Sequence, residues 1–286
     1  MDRIATLPLV FLILMIAVSL PVLLSPPLYV MVIMLILYVA FFFGFSFTHG
    51  FYTFGGKTIS VFFVITALTT YVMEWLGTHF GIPFGHYYYT NQLGPLLMEV
   101  PIVIPLQWFN MLYVCYIMAN IAFGRNRTKI ESTSRSARVG QILFISVVVG
   151  LFMVSWDFIN DPYMVGVGSW VWTDPMEFFM LSFHGIPLSN FLGWILTGAI
   201  AVFLFELYTL RNREPAQNFM DKAVKPINGL VLVPYLYQLF VQVSSGIVAG
   251  VFSFGSTSTL VPIGLALVTM GSSVLLTGWR FNQIRS

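Results

Sequence analysis

Residues 28–48 read LYVMVIMLILYVAFFFGFSFT, a run without a single charged side chain. A transmembrane helix needs about 20 predominantly apolar residues, so this stretch can span a bilayer. Further stretches of the same character lie at 7–24, 58–77, 101–123, 139–158, 187–208, 227–249 and 258–279. The sequence therefore predicts an all-α polytopic membrane protein with about eight transmembrane helices, forming a single membrane domain over residues 1–286.

The composition excludes several classes of protein. Of the 286 residues, 58% are hydrophobic and 8% are charged, whereas soluble domains carry about 25% charged residues. A water-soluble enzyme is therefore excluded. The formal net charge of +2 gives no electrostatic footprint for a nucleic acid. The single cysteine, Cys115, excludes a disulfide framework and a cysteine-rich metal site.

The positions of the basic residues predict the orientation. All 13 lysines and arginines fall within 1–6, 49–57, 124–138, 209–226 and 280–286. With eight spans, these five segments lie on the same side of the membrane. Because cytoplasmic loops are enriched in Lys and Arg, we predict a multi-pass protein of the cell membrane with both termini in the cytoplasm.

The two long outer segments, 78–100 and 159–186, follow a common pattern. Glu74 and Asp157 are each followed by a glycine 11 residues later and a threonine 16 residues later, and an Ile-Pro-Leu triplet comes after both. The shared spacing predicts two parallel helix–segment–helix repeats, at about 58–123 and 139–208. Helix pairs at 7–48 and 227–279 flank them.

Aromatic residues alternate within both outer segments, in GHYYYT at 85–90 and GSWVWT at 168–173. Alternation of this kind indicates short strands with one aromatic face. An aromatic belt at the membrane interface is the alternative explanation. Together with polar and aromatic neighbours of the acids, these residues are our candidates for substrate binding: Trp75, Tyr87, Tyr89, Trp156, Trp170, Trp172 and Asn190.

The acids of the repeat are the candidate catalytic groups. Ionisable residues inside a span are costly and are functional candidates by default, and the outer side holds no basic partner for Glu74 or Asp157. A carboxyl group in such a setting favours its neutral form and can donate a proton. We predict Asp157 as the proton donor, because Trp156 can cover it and Asp161 follows one helical turn later. Glu74 and Asp161 are its predicted partners.

Metal-dependent chemistry is disfavoured by the residues present. The Asp157–Asp161 spacing could hold a magnesium diphosphate, but such a site also needs basic residues, which the outer side lacks. His79, His86 and His184 show no pair of ligands on one helix turn. Chemistry with carboxylic acids alone needs no metal or other cofactor, and we predict none.

Several strings resemble the membrane carotenoid-biosynthesis hydratases, a family that includes the bisanhydrobacterioruberin hydratases and carotene 1'-hydratases. These strings are EWLGTH at 74–79, GIPFG at 81–85, IPLQWF at 104–109, GIPLSNF at 185–191 and the pair Gly193-Trp194. The resemblance covers about 70–195. It implies the addition of water to the terminal double bond of a long acyclic polyene, without a redox cofactor.

The chemistry implied by this resemblance agrees with the residues. Hydration of an isopropylidene end needs a strong acid, and aromatic faces stabilise the resulting tertiary cation. The expected partners are a lipid-soluble carotenoid, water and membrane lipids. A carotenoid end-group cyclase or another isoprenoid enzyme would begin with the same protonation, and a two-repeat transporter is the third alternative.

Overall fold

The computed structural model describes residues 3–24, 27–123, 134–173, 182–183, 185–212, 226–253 and 257–285. In these ranges the chain forms eight α-helices, namely α1 (Arg3–Ser19), α2 (Leu28–Phe54), α3 (Gly56–Phe80), α4 (Val103–Ala122), α5 (Arg135–Gly166), α6 (Leu188–Arg211), α7 (Leu232–Val248) and α8 (Thr257–Arg285). Short 3-10 helices lie at Leu20–Leu24, Asn91–Leu93 and Pro226–Val231. The protein is thus a helical, multi-pass membrane protein.

Helix α4 is the exception among the predicted spans. Seven helices of the described chain are long and apolar enough to cross a membrane, and α4 is not among them. It carries Gln107, Asn110 and Asn120, yet every residue from Trp108 to Ala122 is buried. It packs against α2, α3, α5, α6, α7 and α8. Because these neighbours shield α4 from lipid, it does not need an apolar surface of its own.

Helix α5 extends beyond its predicted end. We expected the span to finish at 158, where Asp, Asn, Asp and Pro follow, but the helix continues to Gly166 and includes Pro162. The polar side chains of this last part are buried and hydrogen-bonded to other helices. Tertiary contacts therefore outweigh the local preference of these residues for a helix end.

Helices α5 and α6 pack closely against each other. Gly150 of α5 faces the backbone of α6, and a Cβ atom there would lie 2.5 Å from the carbonyl oxygen of Ile195. The absent side chain thus lets the two backbones approach, as small residues do at interfaces between membrane helices. This contact helps to hold Asp157, on α5, beside Asn190, on α6.

The strands are short and lie between the helices. They are β1 (Tyr87–Tyr89), β2 (Leu96–Leu97), β3 (Val100–Pro101), β4 (Trp170–Trp172), β5 (Ser182–Phe183) and β6 (Ile186–Pro187), paired as β1–β4, β2–β3 and β5–β6. Residues 174–181 and His184, which belong to the second predicted outer segment, lie outside the described residues.

The antiparallel β1–β4 pair joins the two aromatic segments. Tyr87 lies opposite Trp172, and Tyr89 lies opposite Trp170. The amide of Thr90 donates to the carbonyl of Ser169, and the amide of Thr173 donates to the carbonyl of His86, so matching positions of the two segments make equivalent bonds. Since side chains alternate along a strand, these four aromatic rings share one face, on which Tyr89 is half-buried and the other three are buried.

Candidate active site

A cavity of about 260 Å³ lies beneath the aromatic face of the β1–β4 pair. Helices α1 to α7 all contribute to its walls, and most of its lining side chains are apolar or aromatic. Two of its lining residues are acidic, Glu74 and Asp161, and none is basic. The cavity therefore combines an apolar interior with carboxyl groups that have no cationic neighbour among its lining residues.

Glu74 lies in the last turns of α3 and is 4% exposed. Its Oε2 atom accepts hydrogen bonds from the hydroxyl groups of Tyr87 and Tyr89, the latter at 2.7 Å. Its Oε1 atom accepts one from Nε1 of Trp108, also at 2.7 Å. Three hydrogen-bond donors are thus directed at one carboxyl group, and each of them stabilises its charged form against the cost of burial.

The two tyrosines are suited to remain donors. Burial raises the pKa of Tyr87 and of Tyr89 well above the usual value of 10, and the neighbouring Glu74 carboxylate raises it further. Both phenols therefore keep their protons at physiological pH and continue to hydrogen-bond to Glu74.

Asp157 and Asp161 form a second group, one turn apart on α5. The Nδ2 atom of Asn190, on α6, donates to Oδ2 of Asp157 at 3.2 Å and also to Oδ2 of Asp161. The two carboxyl groups are close enough to hydrogen-bond to each other. Two carboxyl groups at such a distance do not both ionise readily and share a proton. This pair differs from Glu74, because its three hydrogen bonds come from two amide groups and are divided between two carboxyl groups.

A hydrogen-bonded chain connects this pair to α7. Nδ2 of Asn160 donates to Oδ1 of Asp157 at 3.5 Å. The Nε2 atom of Gln242 donates to Oδ1 of Asn160 at 2.7 Å, and its Oε1 atom accepts from Nε1 of Trp156 at 3.0 Å. Amide side chains are thus fixed along one wall of the cavity.

Three tryptophans form an aromatic group at the cavity. The rings of Trp108 and Trp194 are stacked, with centroids 4.1 Å apart and an angle of 22° between their planes. Trp156 meets Trp194 edge to face at 5.5 Å. All three line the cavity together with the acids. Their faces can attract a cation, and the attraction is larger where water is excluded.

The cavity reaches the outside of the protein at apolar residues. Leu28, at the start of α2, and Val248, at the end of α7, belong to its lining and are exposed. Both helices are apolar enough to cross a membrane, and a long hydrocarbon has the same apolar character as these exposed side chains.

Most residues predicted for the site lie at this cavity. Glu74 and Asp161 line it, together with the predicted binding residues Tyr87, Tyr89, Trp156, Trp170, Trp172 and Asn190. Two others do not. Asp157 is fully buried behind its neighbours, and Trp75 packs on His79, with ring centroids 4.6 Å apart, outside the cavity lining.

Sequence reasoning missed Trp108, Trp194 and Gln242. Both tryptophans were present in the strings that carry the family resemblance, and that signal could have identified them. Gln242 lies in α7, beyond the predicted repeats, and only its polarity inside a span could have marked it. Among the described residues, no group of three or more His, Cys, Asp or Glu side chains is arranged to hold a metal ion.

Comparison with known proteins gives one curated relative of interest, the bisanhydrobacterioruberin hydratase of Haloarcula japonica. It is 28% identical to this chain over 144 residues, which amounts to 50% of this chain and 43% of the relative. The match thus spans less than half the length of that protein. No solved structure matches the chain.

A family model agrees with this relative and extends much further along the sequence. The model, which is described as a carotenoid biosynthesis protein, matches residues 27–272. That range contains the acids, the β1–β4 pair and helices α2 to α7. The chain therefore belongs to the carotenoid biosynthesis protein family, as the strings around Glu74, Gly185 and Trp194 had indicated.

Proposed function

We propose that the protein is a carotenoid hydratase, which adds water to a terminal double bond of a long acyclic polyene. Its membership of a carotenoid biosynthesis family makes a carotenoid the substrate class. The observation that carries the proposal is the apolar cavity, whose lining holds carboxyl groups and no basic residue and includes the exposed apolar side chains of Leu28 and Val248. No metal or other cofactor takes part in the proposed reaction.

The dimensions of the cavity suit one end of the substrate. Ligand pockets for whole small molecules occupy about 300–1,000 Å³, and this cavity has about 260 Å³. A long polyene therefore places its isopropylidene end among the acids and leaves the remainder in the opening beside Leu28 and in the bilayer.

Asp161 donates the proton in this proposal, and Asp157 is its partner. The sequence favoured the opposite assignment, but Asp157 is fully buried whereas Asp161 lines the cavity. Asp161 transfers its proton to the CH carbon of the terminal double bond, and the positive charge develops on the carbon that carries the two methyl groups. Asp157 and Asn190 hold the acid in position.

The tertiary cation is stabilised by charge and by aromatic faces. The Glu74 carboxylate supplies a fixed negative charge, held by Tyr87, Tyr89 and Trp108 before the reaction begins. Preorganised groups of this kind stabilise developing charge without reorganisation. The stacked pair Trp108–Trp194 supplies the aromatic surface.

Capture by water completes the reaction. The oxygen of a water molecule bonds to the cationic carbon, and Glu74 accepts the proton that is released. A proton then passes from Glu74 to Asp161 through solvent, which restores both groups. The balance is one alkene and one water consumed, and one tertiary alcohol formed.

The proposal is tested by expressing the protein in a host that makes an acyclic carotenoid and analysing the pigments by mass spectrometry. A product heavier by one or two waters is expected. An isomer of unchanged mass would instead identify an end-group cyclase, and unchanged pigment at normal protein level would refute both enzymes. Reporter fusions at each terminus test the proposed location in the cell membrane with both ends in the cytoplasm.

A further inference from the structure

Two groups of cavity-lining residues differ in polarity and in their place in the fold. Leu28 and Val248 belong to helices, are apolar and are exposed. Gln92 and Ser169 also line the cavity, but they are polar and lie in the segments between helices, beside the strands β1 and β4. Irregular backbone does not occur in contact with lipid hydrocarbon, so these segments border water or protein. The proposed reaction likewise has two substrates, one apolar and one polar.

Gln92 is held beside Gly168 by hydrogen bonds that pass through Thr90. The hydroxyl of Thr90 donates to the carbonyl of Gly168 at 2.8 Å and accepts from the backbone amide of Gln92 at 3.4 Å. Gly168 has a φ of +77°, and a Cβ atom built there would lie 3.4 Å from Nε2 of Gln92. The side chain of Gln92 therefore packs directly against the backbone of the second segment, and its position is set by both segments.

The polar side-chain atoms of Gln92 and Ser169 are available to a ligand. Within the described part of the chain, neither the amide group of Gln92 nor the hydroxyl of Ser169 has a hydrogen-bond partner, and both remain accessible to solvent. The amide offers donors and an acceptor, and the hydroxyl offers one of each. A hydrocarbon can use none of these, whereas water can use all of them.

From these contacts we propose, building on the proposed hydratase function, that Gln92 and Ser169 form the entrance through which water reaches the cavity. The polyene occupies the apolar end of the lining, at Leu28 and Val248, so the two substrates enter at different places. Water that leaves the bulk solvent loses hydrogen bonds, and an apolar surface replaces none of them. The amide and the hydroxyl replace part of this loss at the point of entry.

The entrance leads to the base of the proposed mechanism. Tyr89 lines the cavity and lies opposite Trp170, the residue that follows Ser169. The hydroxyl of Tyr89 donates to Oε2 of Glu74 at 2.7 Å. Water that enters here therefore meets the carboxyl group that takes its proton when the oxygen bonds to the cation, so no further reactant is required.

The test separates protonation from capture by using heavy water. In D2O the acid delivers deuterium to the alkene, and the cation then either captures water or loses a hydrogen ion from a neighbouring carbon. Capture gives a deuterated alcohol, whereas loss gives a deuterated alkene. The ratio of these products, measured by mass spectrometry on membranes containing the protein, reports how readily water reaches the cation.

Gln92→Met keeps the length of the side chain but removes its polar atoms. We expect the alcohol-to-alkene ratio to fall about fivefold, the change that corresponds to the loss of one hydrogen bond. The total of deuterated products should change little, because protonation does not use this entrance. Asn91→Leu removes the neighbouring amide, which is exposed and outside the cavity lining, and it should leave the ratio unchanged. An unchanged ratio in Gln92→Met, or an equal fall in both variants, would overturn the water entrance.

Two further variants test whether polarity is the cause. Gln92→Glu has the same length and keeps oxygen atoms that bind water, so its ratio should stay close to the wild-type value, and a ratio as low as that of Gln92→Met would refute the proposal. Where Gln92→Met does not accumulate in membranes, Ser169→Ala removes the second polar group with little change of shape. Its ratio should fall, and a wild-type ratio would overturn the entrance. Failure of the proposed function has a different sign, because the wild-type protein itself would then give no alcohol.

Discussion

Replacing Asp161 with asparagine tests the proposed proton donor directly. The variant keeps the size of the side chain and an oxygen that can accept from Asn190, as Asp161 does. It removes the exchangeable proton of the carboxylic acid. Residues of the β1–β4 pair and the Trp108–Trp194 stack are not altered by the change.

The magnitudes separate catalysis from stability. Removing a general acid typically costs about 10²–10⁴ in rate, which corresponds to about 3–5 kcal/mol. Weakening one buried hydrogen bond costs about 0.5–1.5 kcal/mol of stability. Since Asp161→Asn retains an acceptor for Asn190, the loss of hydrated product should greatly exceed the loss of folded protein.

The assay is the conversion of an acyclic carotenoid per amount of membrane-embedded protein, together with deuterium incorporation in D2O. Asp161→Asn should lose both the alcohol and the deuterated alkene, because no cation forms. Glu206→Gln is the matched control, since Glu206 is a buried carboxyl group of α6 that accepts from Tyr116 outside the cavity. It should retain its specific activity. Near-normal hydration by Asp161→Asn would refute its role and return the assignment to Asp157.

Two further substitutions probe the site and the fold. Glu74→Gln removes the negative charge of a carboxyl group that accepts three hydrogen bonds. Hydration should fall at least tenfold, while deuterium still enters the alkene because the acid pair on α5 is intact. Normal alcohol formation would contradict the role of Glu74 as the base. Gly150→Ala places a Cβ against the backbone of Ile195 and should cost about 1–3 kcal/mol, seen as a lower melting temperature in detergent. Gly140→Ala, where a Cβ meets no atom within 4 Å, is its control, and equal melting temperatures in the two variants would be inconsistent with close packing of α5 on α6.

The helices were largely predictable because lipid demands long apolar stretches. The runs predicted at 28–48 and 187–208 correspond to the helices Leu28–Phe54 and Leu188–Arg211. The predicted end of α5 at residue 158 was wrong, because the helix continues to Gly166. Asp157, Asp161 and Pro162 together are typical of a helix end. Their partners Asn190 and Gln242 lie on other helices, and a local pattern carries no information about them.

The acids of the site were predictable from charge alone, but their roles depend on three-dimensional surroundings. Glu74 and Asp157 occupy matching sequence positions, and the repeat itself stays a prediction. The carboxyl group of Glu74 accepts hydrogen bonds from two tyrosines and a tryptophan, whereas that of Asp157 accepts them from two asparagines. Alternation predicted an aromatic face in each outer segment, but spacing could not identify the partner strand. Likewise, the packing of the helices determines that Glu74 and Asp161 line the cavity and that Asp157 does not.

The polar character of α4 has a consequence for how the protein is made. Gln107, Asn110 and Asn120 reduce the tendency of α4 to leave the translocon for lipid as a single helix. Its favourable environment exists only among the neighbouring helices, which bury it from Trp108 onward. Four of these neighbours, α5, α6, α7 and α8, are synthesised after it. Insertion of α4 is therefore coupled to the arrival of later helices, and truncation after Ala122 should leave it outside the bilayer or only loosely held there.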